Sequence, residues 1–351
     1  MKTSKNMLFL IILVLFLGGC KTYEVMKPII NESKLESENS KLKPGILKKG
    51  DTIGLVAPGS YISQNQLDES IKNFEELGYK VKYNNSILDK HGYLAGFDKD
   101  RAQDIHSMFL DSNVKAVVAV RGGYGCARLL PYLDYELIRK NPKIVMGYSD
   151  ITSLLYGLYS KTGLVSFHGP VGTSTFNEYS VNHLNNTVAK INGNYEMKNL
   201  PDEEDKITVI KNGVAEGELI GGNLSIVVSM IGTEYDIDTE NKIIFLEDIG
   251  EEPYRIDRML TQMRQSGKFN KCSGVVLGIF RRCEIDQNDP EFENSLTLKQ
   301  VLQDRLGDLG IPVIYGMSFG HITNKFTLPF GINAKIDTYN KSLTLLESPV
   351  Q

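Results

Sequence analysis

From residue 45 to about 346 the chain switches repeatedly between two patterns: short unbroken apolar runs, and longer stretches in which apolar side chains return every three or four positions. The runs read as buried strands and the longer stretches as helices packed by one face. In the first half, runs at 52–57, 79–83, 114–120, 143–147 and 164–170 predict five strands. Between them, Leu67, Ile71, Phe74 and Leu77 mark a helix that Gly78 closes. Asp98 opens a second helix carrying Ile105, Met108 and Phe109, a third begins near Cys126, and a fourth follows Ile151. Strands alternating with helices imply right-handed crossovers and a mostly parallel sheet, whose ligands bind beyond the carboxyl ends of the strands.

Residues 176–214 are polar, rich in Asn and Glu, and centred on Pro201-Asp202-Glu203-Glu204-Asp205. They read as an interdomain connection between a domain at 45–175 and a second at 215–351. The second domain opens with the stretch from Gly217 to Ser225, whose paired Gly221 and Gly222 with Asn223 read as a turn feeding a helix with Ile226, Val227 and Met230. Strands follow at 242–246, 273–280 and 311–315, with a helix started by Pro253 and another at 297–306. From about 325 to 346 the alternation, with a turn near Asn340-Lys341, predicts antiparallel strands.

The first residues break this pattern. Lys2 and Lys5 precede an apolar run at 7–17, and Leu17-Gly18-Gly19-Cys20 follows at once. The run is too short to cross a hydrocarbon core of about 30 Å. The segment resembles a bacterial lipoprotein signal, in which residues 1–19 would be removed as a signal peptide and the Cys20 thiol would carry diacylglycerol. Residues 20–44 are Lys, Glu, Ser and Asn with few large apolar side chains, and are expected to form a flexible tether to the membrane. The destination implied is the extracytoplasmic side of the cell envelope.

Composition narrows the function. The chain carries 39 basic and 43 acidic side chains, a formal charge of −4; the first 19 residues hold two lysines and no acid, so without them the charge is −6. That balance argues against a nucleic-acid partner. Cys126, Cys272 and Cys283 lack C-x-x-C spacing and read as buried small hydrophobes. His91, His106, His168, His183 and His321 are scattered without H-x-x-E-H spacing, so neither metal nor cofactor is expected.

The candidate chemistry centres on Lys143-Ile144-Val145-Met146-Gly147-Tyr148-Ser149-Asp150, a strand breaking at a glycine and passing into a helix. Ser149 on that turn has the placement of a nucleophile elbow, although Ile151 stands where the usual motif has its second glycine. A serine so placed is, on this stretch alone, more often a plain helix cap. Arg121-Gly122-Gly123-Tyr124-Gly125 ends the preceding strand, and its backbone can lie beside Ser149, supplying either oxyanion donors or a tight turn. Glu247 and His321 each end a strand of the second half. Taken with Ser149, they offer a nucleophile, a base and a carboxylate to orient it.

These blocks, with Gly50-Asp51-Thr52-Ile53-Gly54-Leu55-Val56-Ala57-Pro58-Gly59-Ser60, Gly221-Gly222-Asn223-Leu224, Leu246-Glu247-Asp248 and Gly320-His321, resemble the LD-carboxypeptidase family of serine peptidases, which includes the microcin C immunity proteins. The resemblance implies an α/β protein. Its N-terminal domain would be flavodoxin-like or glutaminase-like with a parallel sheet, and its C-terminal α/β domain smaller, with antiparallel terminal strands. It implies a triad of Ser149, Glu247 and His321, oxyanion donors at the Gly123 and Asp150 amides, no metal, and a homodimer. Glu251 is the substitute acid if Glu247 is not the third member. The implied reaction is hydrolysis of the bond to the terminal D-alanine of murein tetrapeptides. Two alternatives are hydrolysis of another amide, such as a peptide antibiotic, and a non-catalytic peptide-binding lipoprotein.

Overall fold

The computed structural model describes residues 41–351 apart from 287, 289 and 291. The expected signal peptide, Cys20 and nearly all of the tether lie outside the described residues. From Lys41 on the chain is docked: Leu42 exchanges backbone hydrogen bonds with Gly163 and Val165, and Lys41 and Lys43 both reach Glu347. The expected tether boundary at 44 therefore falls inside a segment that belongs to the fold.

The first half forms β1 (Thr52–Val56), β2 (Lys80–Lys82), β3 (Val114–Ala119), β4 (Ile144–Gly147) and β5 (Phe167–His168), all parallel in the order β2-β1-β3-β4-β5. This is the flavodoxin order, with its topological switch between β1 and β3. Helices α1 (Gln64–Glu76), α2 (Asp98–Leu110), α3 (Tyr135–Lys140) and α4 (Ile151–Thr162) cover it. Ser63 and Gln66 close a capping box on α1, and Gly78, at φ 84°, ends that helix. The helix expected from Cys126 is instead a 3-10 turn at Ala127–Tyr132 followed by the short α3. Pro131, which lacks an N–H and crowds the preceding turn, prevents one continuous helix.

The polar stretch 176–214 is built rather than loose. It carries α5 (Glu178–Val188), β6 (Tyr195–Met197) and β7 (Thr208–Lys211), and the two strands form the edges of the second sheet. The centre of that sheet is the parallel set β8 (Val214–Asn223), β9 (Lys242–Ile249), β10 (Gly274–Arg281) and β11 (Val313–Gly320). Helices α6 (Leu224–Met230), α7 (Pro253–Gln265) and α8 (Leu298–Leu306) lie between these strands in sequence. The chain then leaves β11 and contributes β12 (Leu328–Pro329) to the first sheet, antiparallel to β5. It returns as β13 (Asn333–Asp337) and β14 (Ser342–Leu345), antiparallel as expected, with Lys341 at φ 48° in the turn.

One expectation fails usefully. Gly221 and Gly222 form no turn but continue β8, at φ 145° and 137°. A Cβ on Gly221 would stand 1.8 Å from the Phe245 carbonyl oxygen, and one on Gly222 2.5 Å from Thr152 Cγ2. The glycines let the second sheet close onto α4, where the Asn223 N–H donates to Thr152 Oγ1 at 3.1 Å. The joint between the sheets is apolar. Phe330 lies edge-on to Tyr156 and Tyr159 of α4 and to Phe245 of β9, with ring centres 5.3–6.0 Å apart.

Candidate active site

Ser149 follows β4 and precedes α4, and its φ of 65° puts a non-glycine residue in the left-handed region. Asp150, not Ser149, occupies the N-cap of α4, so the plain-cap alternative for Ser149 does not hold. Two glycines make the elbow possible. A Cβ on Gly147 would meet the Ile151 side chain at 2.9 Å, and one on Gly122 would meet Ser149 Cβ at 2.9 Å and Oγ at 3.1 Å. The loops after β3 and β4 thus lie side by side, as the strand order requires.

The loop after β3 is fixed from three sides. The Tyr124 N–H donates to Ser60 Oγ at 3.0 Å, and Gly123, at φ 127°, leaves no room for a Cβ against the same serine. Asp150 is buried and its Oδ2 accepts the Cys126 N–H at 2.8 Å; burial pushes its carboxyl up from the ordinary aspartate range while that amide draws it down. From α2, the buried Arg101 guanidinium donates to the carbonyls of Pro58 and Gly125 and pairs with Asp98. Among the described residues no protein group takes the Gly123 or Asp150 amide N–H.

Glu247 sits near the end of β9 with 0% exposure, and its Oε2 lies 2.7 Å from His321 Nδ1. Gly320, at φ 108°, permits this approach, because a Cβ there would stand 2.7 Å from Glu247 Oε2. Glu251, the substitute acid, is half-buried and faces Arg255 instead. Next to Glu247, Asp248 accepts from Asn223 Nδ2 and from the Ser225 N–H and hydroxyl, which ties β9 to the start of α6.

The two halves meet through Tyr148. Its ring lies edge-on to His321 with centres 4.9 Å apart, which brings the base carried by the second half against the immediate neighbour of Ser149. Lys325 Nζ stands 4.4 Å from the centre of the same ring, and His168 6.1 Å away. His168 is buried with neither ring nitrogen hydrogen-bonded, and burial, aided by His321 and Lys325, drives its imidazole down to about 3, so it is neutral.

Of the residues singled out from sequence, Ser149, Gly123, Asp150, Glu247 and His321 gather here. The other histidines lie elsewhere: His106 accepts the Asp134 N–H, His183 pairs with the Tyr195 hydroxyl, and His91 stacks on Phe97. No cluster of metal-binding side chains occurs among the described residues. Arg101, Tyr148, His168 and Lys325 went unrecognised. For Arg101 a signal existed, since its spacing from Ile105 and Met108 puts it on the buried face of α2.

Two family models match the chain: the LD-carboxypeptidase N-terminal domain over residues 53–169 and the LD-carboxypeptidase C-terminal domain over 216–336. The chain belongs to the LD-carboxypeptidase family. It is therefore a serine-type carboxypeptidase. A Bacillus subtilis (strain 168) relative named probable murein peptide carboxypeptidase is 41% identical over 86% of this chain and 94% of its own length. Among solved structures, the microcin self-immunity protein MccF in complex with glutamyl sulfamoyl guanosine superposes with a TM-score of 0.80 at 27% identity, covering 88% of this chain and all of the other. The muramoyltetrapeptide carboxypeptidase of Oxalobacter formigenes gives 0.72 at 32% identity, over 84% and 97%.

Proposed function

We propose that this LD-carboxypeptidase releases the terminal D-alanine from murein tetrapeptide stems, with Ser149 as nucleophile, His321 as base and Glu247 as its orienter. The observation that carries the reading is the buried Glu247–His321 pair held against Tyr148, beside a strained Ser149. With Nδ1 engaged by Glu247, His321 uses Nε2 to take the serine proton as Oγ attacks the scissile carbonyl carbon. The Gly123 and Asp150 amides stabilise the oxyanion. His321 then returns the proton to the departing D-alanine amine, and water, deprotonated by the same nitrogen, hydrolyses the acyl-serine. The Bacillus relative, named for murein peptides at 41% identity, favours this substrate over a microcin-type amide.

The reading extends to location and assembly. The order of basic, apolar and small residues before Cys20 supports lipid attachment there and action outside the cytoplasmic membrane, and the family resemblance supports a homodimer. Incubating the purified protein with tetrapeptide muropeptides and weighing the products tests the reaction. Loss of one alanine is expected; unchanged tetrapeptide would refute it.

A further inference from the structure

A carboxypeptidase that removes a single residue must recognise the free carboxylate one residue beyond the scissile carbonyl. Water satisfies that group in solution, so the site has to replace its hydration with a cation or hydrogen-bond donors. The charged side chains gathered around the Ser149–His321 pair can be compared for the task. Arg281 is exposed, and its guanidinium is engaged with the His321 carbonyl oxygen at 3.0 Å. Glu247 has the wrong sign and is committed to His321. His168 is neutral. Lys325 remains.

Lys325 is 4% exposed, yet among the described residues no protein oxygen accepts a hydrogen bond from its Nζ. The ammonium instead lies 4.4 Å from the centre of the Tyr148 ring, which packs T-shaped with His321 and whose chain neighbour is Ser149. An aromatic face favours a cation but gives it no acceptor, so all three N–H donors remain available. Its backbone is fixed. The Lys325 N–H donates to Ser180 Oγ at 3.1 Å, Ser180 donates to the Thr323 carbonyl, and Asn177 donates to Asn324 at 2.6 Å, pinning the segment after His321 to the start of α5. A desolvated, preorganised cation without an acceptor, set over the ring of the residue that precedes the proposed nucleophile, suits a ligand carboxylate.

We propose that Lys325 binds the terminal carboxylate of the substrate and thereby limits the enzyme to removing one residue from a free chain end. This rests on the murein-peptide reading above. The competing role for Lys325 is as a countercharge that keeps the buried Glu247 ionised, which would affect every substrate alike.

The test compares a murein tetrapeptide ending in D-alanine with the same peptide ending in D-alanine amide, for wild type, Lys325→Met and Lys325→Arg, with circular dichroism to verify folding. Wild type should prefer the acid by about 100-fold in kcat/KM, the worth of one charge-assisted hydrogen bond. Lys325→Met should bring that ratio close to one, mainly through KM, and Lys325→Arg should restore part of it. A wild-type enzyme indifferent to the amide would overturn the assignment even if Lys325→Met did not fold. So would a Lys325→Met enzyme that lost rate equally on both peptides and kept the preference. Failure of wild type to release anything from either peptide is a different result, and would remove the murein reading together with this inference.

Discussion

As the proposed triad, Ser149, Glu247 and His321 would operate as a unit, so their losses should not add. Ser149→Ala and His321→Ala should each lower kcat by roughly 10⁴ to 10⁶-fold, with the double variant hardly worse than either, as read from the rate of D-alanine release. Glu247→Gln should keep binding and lose turnover, because a neutral amide no longer stabilises the imidazolium; full activity in that variant would return attention to Glu251. Gly320 gives an independent handle. An alanine there forces a Cβ to within 2.7 Å of Glu247 Oε2 at a φ that disfavours side chains, so Gly320→Ala should cut kcat/KM by about 100-fold or more. The convergence of Ser149, Glu247 and His321 on one region could be anticipated because the proposed chemistry calls for those residue types at strand ends. Lys325 and His168 could not be, since each is a lone polar residue in a loop or short strand until the fold sets it beside Tyr148.

At the scale of elements, the strand and helix alternation of the first half could be read directly, because buried parallel strands are nearly pure apolar runs such as 114–120. Gly221 and Gly222 were misread for a definite reason: paired glycines signal a turn in sequence, whereas here they serve close approach to Phe245 and Thr152. The same contact yields a prediction. Gly222→Ala would drive a Cβ into Thr152 and lever β8 away from α4, so a loss of about 1–3 kcal/mol in unfolding free energy is expected, measured by denaturant titration. Activity should fall further than stability alone explains, because β8 fixes Asn223 and through it Asp248 at the end of β9. The dipeptide strand β12 could not be foreseen. Two residues carry no periodicity, and only the finished edge of the first sheet identifies their partner.

At the scale of the molecule, buried imidazoles make the fold acid-sensitive. Burial lowers His168 to about 3 and His183 to about 4, against an ordinary value near 6.5. Between those values the unfolded chain binds protons that the folded chain refuses, so stability is complete above about pH 6.5 and falls as the pH drops toward 3. Lys325 and His321, both facing His168, act in the same direction. Denaturant titrations at pH 7.5 and 5 should show the loss, and His168→Gln should flatten part of the slope. Cys20→Ser should abolish fatty-acid labelling and shift the protein out of the membrane fraction; persistent label on that variant would sink the lipoprotein reading. The route of β12 has a further consequence, for the timing of synthesis. The last strand of the sheet that carries Ser149, the proposed nucleophile, is supplied by residues 328–329, after His321 has been added, so a nascent chain that already holds Ser149 has neither its proposed base nor a partner on β5. On the proposed mechanism hydrolytic competence would arise late, when nearly all of the described chain has emerged, and a product cut short before residue 321 would hold an inert serine and leave β5 unpaired on one side.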